Sequence, residues 1–501
     1  MRSASVVHAP SYEDLFQENA RLKEQLERAY HQLRELKHHV FGRRSEKLAV
    51  VDASQGVLFD FEGEAEASRN EAASISVASH TRPRRGRQPL PKDLPRERIE
   101  YEPEERRCSG CGNEKDKIGE EVTEELDYVP AQFVVREHVK IKRACRRCQD
   151  GVAIGRLPAE VQVIEGSRPG AGLLAHILVS KYQDHLPLHR QEQMFLRHGI
   201  VLSRKRMCDW IGKLVEQGLW PIVEAMKREL LQSTYVRADE TEIQVQSAEK
   251  SGSLHRGYLW GALSLEGDVV FTYAPSRAGA VAEQLFGGYS GFLQTDLYAG
   301  YAKVYTPEGA TRVGCWAHAR RKFVEAEKTA PRECGKVLQK IAALYQIEKQ
   351  ARTLSFEERQ ALRQRQSKPL FDSLQKTLQD LQLHSLPKSP LRLAIDYTLS
   401  QWEALTRPLE HGCLELDNNA IERQIRPIAV GRHNWLFAGS ERGAQWAACL
   451  FSLLATCRLH RINPFAYFAD VLRRIHTTPQ QRIADLTPRR WKQLRETTPA
   501  S

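Results

Sequence analysis

The chain lacks any run of about 18 apolar residues, so no transmembrane helix is expected. Its N-terminus, MRSASVVHAPSYEDL, lacks the apolar core of a secretory signal, which points to a cytoplasmic protein. It has no surplus of acid: Asp+Glu number 63 against Lys+Arg 74, a net charge of +11 that favours a polyanionic partner. Disulfides are not expected in a reducing compartment, although there are ten cysteines. Four of these stand in close pairs, which suggests metal instead. What is present in bulk, 41% hydrophobic and 27% charged residues, is ordinary for a soluble chain of several domains.

Residues 10–48 carry heptads. Tyr12, Asn19, Leu26, Leu33 and Val40 recur at one position, and Leu15, Leu22, Ala29 and Leu36 at another. This predicts a coiled-coil helix and a homodimer or higher oligomer; the alternative is an amphipathic helix packed on its own chain. Residues 49–100 read as a disordered linker. Within it Arg84, Arg85 and Arg87 surround Gly86, a pattern like an AT-hook in a narrow minor groove, or else a solvated basic linker. Cys108 with Cys111 and Cys145 with Cys148 form two CxxC pairs. Four thiolates on two tight turns suit structural, tetrahedral Zn2+. Strand-like segments at 124–129 and 133–141 make 101–160 a zinc ribbon, with a basic rim of Arg143, Arg146 and Arg147.

Residues 165–230 read as a helical DNA-binding domain. A helix over 188–198 ends near Gly199. Ser203 caps a second helix that begins with Arg204, Lys205 and Arg206. Met207, Trp210, Ile211 and Leu214 give that helix an apolar face. The pair resembles a helix-turn-helix, whose second helix offers its N-terminal residues to the major groove. Helix pairs of this kind also occur in any α domain.

Between 231 and 330 the pattern changes to strands. A strand over 234–246 carries Asp239 in its middle; two more follow at 255–265 and 269–273. Ser276 starts a helix to 286, and a fourth strand ends at Asp296. Residues 298–305 are a short helix or a loop. A fifth strand at 311–315 leads to a helix over 316–328. With 298–305 helical, the order β-β-β-α-β-α-β-α is that of an RNase H-like fold. Cys315 and His318 sit at the last strand-to-helix junction. They are too few for a second zinc site, and either position DNA, support a catalytic site or form a core turn. Arg320, Arg321 and Lys322 follow, facing DNA phosphates or solvent. Residues 331–410, rich in Leu, Gln, Lys and Arg, read as a helical insertion. Residues 411–460 return to the core, and 461–501 are a last helix and a basic tail.

Residues 414–427 read Leu-Glu-Leu-Asp-Asn-Asn-Ala-Ile-Glu-Arg-Gln-Ile-Arg-Pro. Asp417 suits an N-cap, and Asn418, Glu422 and Arg426 share one face of the helix that follows. Alone, this is an ordinary solvated face. Asp239 and Asp296, however, lie in apolar strands, where a carboxylate costs desolvation unless it is paired or binds a cation. Two strand aspartates with a helical glutamate predict a two-metal site for Mg2+ or Mn2+. Arg423, Arg426 and Asn418 are then candidates for touching the DNA strand.

Taken together, the motifs resemble those of transposases of the insertion sequence 66 family, nearly end to end. They are Phe-Gly-Arg-Arg-Ser-Glu-Lys-Leu at 41–48, the CxxC pairs, Ala-Asp239-Glu-Thr, Gln-Thr-Asp296-Leu-Tyr-Ala-Gly-Tyr, Cys315-Trp-Ala-His318-Ala-Arg-Arg-Lys-Phe, and Asp-Asn-Asn-Ala-Ile-Glu422-Arg with Asn-Trp-Leu-Phe-Ala-Gly-Ser. The resemblance implies a DDE transposase of the bacterial cytoplasm and nucleoid, with Asp239, Asp296 and Glu422 as its triad. It implies an α/β multidomain chain: an RNase H-like catalytic core with a helical insertion, preceded by a coiled coil, a zinc ribbon and a helical DNA-binding domain. It also implies DNA partners and accessory proteins of the same element. The competing readings are a non-catalytic zinc-containing DNA-binding regulator derived from a transposase, and a coiled-coil scaffold. The scaffold leaves the strand aspartates unexplained.

Overall fold

A computed structural model describes residues 169–247, 253–296 and 298–497, with isolated positions before them (21, 25, 133–136, 138, 142–144, 152–154, 161, 163–165 and 167). The heptads lie outside the described residues, save Arg21 and Gln25, which are helical and exposed. So do Arg84, Arg85 and Arg87, the expected strand at 124–129, and Cys108, Cys111, Cys145 and Cys148. The strand expected over 133–141 is absent at its described positions. Residues 133–136 and 138 have no regular structure, and Phe133, Val134 and Val135 are all exposed. Alternation alone makes no strand without a surface to cover. Strand pairing begins at β1 (Lys142–Ala144), antiparallel to β2 (Val152–Ile154).

The described residues from His138 onward belong to one unit. Four helices open it: α1 (Ala171–Tyr182), α2 (Leu188–Arg197), α3 (Arg204–Leu214) and α4 (Trp220–Leu230). Gly199, at φ +75°, turns the chain after α2, a conformation that costs glycine nothing. Ser203 Oγ accepts the Arg206 N–H at the start of α3, as its sequence suggested. Met207, Ile211 and Leu214 face inward.

A five-stranded sheet follows, built from β3 (Tyr235–Gln246), β4 (Leu254–Ser264), β5 (Val269–Ala274), β6 (Phe292–Gln294) and β7 (Thr311–Val313). The order is β5-β4-β3-β6-β7. β3 lies at the centre, antiparallel to β4 and parallel to β6. The first crossover helix, α5 (Gly279–Phe286), starts later than Ser276 suggested. The Ser276 hydroxyl is used on the Ala278 N–H, closing a turn ahead of the helix. Residues Ala299–Val304 form a 3-10 helix, and α6 (Trp316–Ala326) follows β7.

The insertion comprises α7 (Pro331–Ala351), α8 (Phe356–Leu362), α9 (Lys368–His384), α10 (Pro390–Leu399) and α11 (Trp402–Thr406). It builds its own apolar cluster on α6, through Phe323, Val337, Ile341, Leu374 and Ile395. The chain then returns as α12 (Asn419–Trp435), α13 (Glu441–Leu459) and α14 (Pro464–Arg474). Helix α13 covers the sheet at β5, where Ser452 Oγ accepts the Phe271 N–H at 2.8 Å and Thr456 Oγ1 the Val269 N–H at 2.9 Å. Hydroxyls here satisfy an edge that would otherwise invite another strand. One core joins α1–α4, the sheet and these helices, with Leu178, Met226, Phe271, Ile421 and Leu454 among its members. The expected polar tail is in fact folded, ending in α15 (Pro488–Thr497). Leu486 and Trp491 are buried, and Arg489 bridges Asp268 and Glu229. Those few apolar anchors are hidden among charges in the sequence. Among the described residues no helix is long and apolar enough to cross a membrane.

Candidate metal and nucleic-acid site

Helix α12 lies along β3 and is tied to it at both ends. At its start, Asn418 Nδ2 donates to the Ala238 carbonyl at 2.9 Å. Beyond its end, Ala438 donates to Gln244 O at 2.8 Å and accepts the Gln246 N–H at 2.9 Å. Between them Arg432 donates to the Glu242 carbonyl. The helix runs on through Pro427 to Trp435. Its approach is possible because Gly261, paired with Asp239 across the sheet, has no side chain. A Cβ there would meet Phe271 at 2.8 Å and Ile421 at 3.3 Å. Ile421 packs inward, fully buried in the core that α12 shares with the sheet.

The start of α12 is held from a second side. Trp316 N donates to Leu416 O at 2.9 Å, and Asn418 N donates to Cys315 Sγ at 3.3 Å. Gln294 Nε2 donates to the carbonyls of Gly314 (2.8 Å) and Glu415 (2.9 Å), while its own oxygen accepts from the Tyr235 hydroxyl. Thus β3, β6, the Cys315–His318 turn and the start of α12 meet in one buried polar lattice. The cap differs from the expected one. Helix α12 starts at Asn419 with Asn418 in the cap position, and Asp417 Oδ1 accepts the Asn419 N–H at 3.1 Å. The Asn418 amide is spent on β3. Asp417 also bonds the Tyr345 hydroxyl of α7, which links the insertion to the helix.

Asp239 in β3, Asp296 just past β6 and Glu422 in α12 are brought into one electrostatic neighbourhood. Burial pushes the Asp239 carboxyl well above its ordinary range, and Glu240, Glu422 and Asp296 push it further. Asp239 Oδ1 accepts the N–H of Glu240 at 2.9 Å, and Asp296 Oδ1 that of Tyr298 at 2.9 Å. Glu422 Oε1 is buried with no hydrogen-bond partner. His318, on the first turn of α6, has its Nε2 3.9 Å from Glu422 Oε1. Burial lowers the imidazole pKa against the opposing pull of Glu422 and Asp296.

One expectation fails here. Asn418 is 0% exposed and cannot touch a substrate strand, whereas Arg423 and Arg426 are exposed. Lys322 lies over the Tyr397 ring at 4.7 Å, facing the insertion. Arg321 is exposed and Arg320 half-buried. Arg204, Lys205 and Arg206 are all exposed at the N-terminus of α3.

Sequence reasoning missed Arg277, Glu240 and Tyr301. The Glu240 side chain is 2% exposed and pairs with Arg277; the Tyr301 hydroxyl donates to it at 2.9 Å. Arg277 stacks on Tyr298 at 3.8 Å and reaches Asp296 at 3.9 Å. The acidic neighbour of Asp239 was a signal for such a partner. Nothing in the sequence pointed to Arg277.

Four family models match the chain. One described as "Transposase IS66 family" covers residues 166–446. "Transposase C of IS166 homeodomain" covers 28–99, "zinc-finger binding domain of transposase IS66" 105–149, and "IS66 C-terminal element" 452–489. The zinc-finger match spans all four paired cysteines and supports a structural Zn2+. The chain is 35% identical to the uncharacterised protein y4hP of Sinorhizobium fredii over 498 residues, covering 93% of this chain and 89% of that one. It is 33% identical to y4jD of the same organism, covering 91% and 93%, and 33% identical to y4qI, covering 92% and 88%.

Proposed function

The chain belongs to the transposase IS66 family, and on that premise we propose that it is a DNA transposase. In this reading it binds the ends of its own element, cleaves them and joins them to target DNA at Asp239, Asp296 and Glu422. The observation that supports the reading is the tie between α12 and β3, which brings the half-buried Glu422 near enough to act on the half-buried Asp239 carboxyl. Three carboxylates that feel one another's charge repel unless a cation compensates them.

The donor set fits a divalent ion. It is all oxygen, one of its atoms (Glu422 Oε1) is buried and unpartnered, and a hard cation prefers such ligands. Asp239, Asp296 and Glu422 would hold Mg2+ or Mn2+, which when bound activates a water or 3′-hydroxyl and stabilises the leaving 3′-oxygen. The protein's own part is rigidity. Asp239 stands in a central strand, and Glu422 on a helix tied to that strand at both ends. Arg423 and Arg426 extend along the same helix toward solvent, where phosphates would pass. Arg204, Lys205 and Arg206 at the start of α3 supply a second basic contact for element-end DNA. The strand order, with two antiparallel and two parallel neighbours, supports an RNase H-like core. The heptads and the match at 28–99 support self-association.

The test is cleavage of labelled duplexes carrying the element's ends, with Mg2+ or Mn2+, by wild type and Glu422→Gln. Cleavage or joining by wild type alone is expected. Activity surviving in Glu422→Gln would sink the triad. DNA binding without any cleavage by wild type would favour a regulator.

A further inference from the structure

We propose that His318 supplies a nitrogen ligand to the ion held by Glu422, making the site more favourable to transition-metal cations than an all-carboxylate set. The inference rests on reading Glu422 as a metal ligand and adds a donor of a different chemical kind. Among the described residues, one trio of His, Cys, Asp or Glu has donor atoms all within 4.8 Å of one another: Cys315, His318 and Glu422. The 3.9 Å between His318 Nε2 and Glu422 Oε1 is too long for a hydrogen bond. A shared cation, about 2.0–2.2 Å from each donor, would need to draw the two only roughly half an ångström closer. Glu422 Oε1 is buried and has no hydrogen-bond partner, and an ion shared with His318 Nε2 accounts for it.

Cys315 is the tie that aims this pair. It is 1% exposed, and its sulfur already accepts the Asn418 N–H. It therefore locks the first turn of α6, which carries His318, to the first turn of α12, which carries Glu422. An imidazole nitrogen is a softer donor than a carboxylate oxygen, so its presence shifts preference away from Mg2+. The spacing of Cys315 and His318 thus serves a site completed by a residue more than a hundred positions away.

Pulsed electron paramagnetic resonance of Mn2+ bound to the full, zinc-loaded, untagged chain tests this directly. Wild type is expected to show coupling of Mn2+ to a histidine nitrogen. In His318→Ala that coupling disappears and Mn2+ affinity falls on the order of tenfold. His318→Gln, which keeps the side-chain volume, should behave alike if His318→Ala alters the helix content seen by circular dichroism. Absence of nitrogen coupling in wild type, or its persistence in both variants, overturns the proposal. Glu422→Gln and Asp239→Asn separate the two readings. If Mn2+ binding depends on them yet shows no nitrogen coupling, His318 alone is misassigned. If Mn2+ binding is indifferent to them, the carboxylate site falls as well.

Discussion

The side-chain amide of Asn418 donates to the carbonyl of Ala238 at 2.9 Å, one residue before Asp239. Four residues beyond Asn418, Glu422 stands one helical turn up the same helix. This buried hydrogen bond is one of the ties that hold the glutamate's helix against the aspartate's strand. The backbone N–H of Asn418 is spent on Cys315, so this asparagine joins three sequence-distant motifs at once.

Replacing Asn418 by alanine should cost about 1–3 kcal/mol, since a buried donor is lost and its cavity left behind. The larger effect is on chemistry. Misplacing a reacting group by an ångström costs on the order of 100-fold in rate. Asn418→Asp should be worse, because a carboxylate cannot donate to Ala238 and adds charge beside Glu422. Thermal melts and strand-cleavage rates check both variants; near-wild-type cleavage by Asn418→Ala would remove the residue from any positioning role.

A second prediction concerns the face of the sheet that receives α12. A methyl at position 261 would stand 2.8 Å from Phe271 and 3.3 Å from Ile421. Gly261→Ala should destabilise by about 1–3 kcal/mol through overpacking. Adding Phe271→Leu should recover part of that loss. Stability of the single variant equal to wild type would mean that α12 can ride outward freely.

These two positions show where sequence reading ends. Asp239 was legible as a candidate because charge in an apolar strand demands a reason, whereas Asp296 falls just past β6 and not within it as expected. The succession of strands and helices along the chain was legible because period-2 runs alternated with helix signals. Asn418 was placed on the wrong side because spacing on a helix says nothing of which face meets the sheet. Gly261 and Arg277 were invisible for a related reason. One matters for the side chain it lacks, the other for a partner across space. The folded tail was missed because Leu486 and Trp491 are sparse anchors among charged residues.

The basic start of α3 leads to a third prediction. If Arg204, Lys205 and Arg206 meet phosphates, each change to alanine should weaken DNA binding alike across sequences. Each should also lower the slope of log affinity against log salt by about 1. A contact to base edges would instead relax sequence preference with little change in slope. Anisotropy titrations on element-end and unrelated duplexes, at several salt concentrations, distinguish the two. Unchanged slopes in all three variants would place DNA elsewhere.

The fourth prediction turns on Asp239. Burial, then Glu240, Glu422 and Asp296, hold its carboxyl well above the ordinary 3.8. A folded value above the unfolded one stabilises the protein only while the group is protonated. That contribution is complete below pH 3.8 and is lost as the pH rises through the raised folded value. The melting temperature of the metal-free protein should therefore carry a falling component over that range as neutrality is approached. Asp239→Asn has no proton to lose there, and should be the more stable form at neutral pH without metal. Divalent cation reverses the order. It compensates the ionised carboxylate, so Mg2+ should raise the melting temperature of wild type and leave Asp239→Asn nearly unmoved. Calorimetry of both proteins, with and without Mg2+, reads the two effects together. An equal Mg2+ shift in wild type and Asp239→Asn would show that the ion is held away from β3, and the carboxylates would then need another explanation.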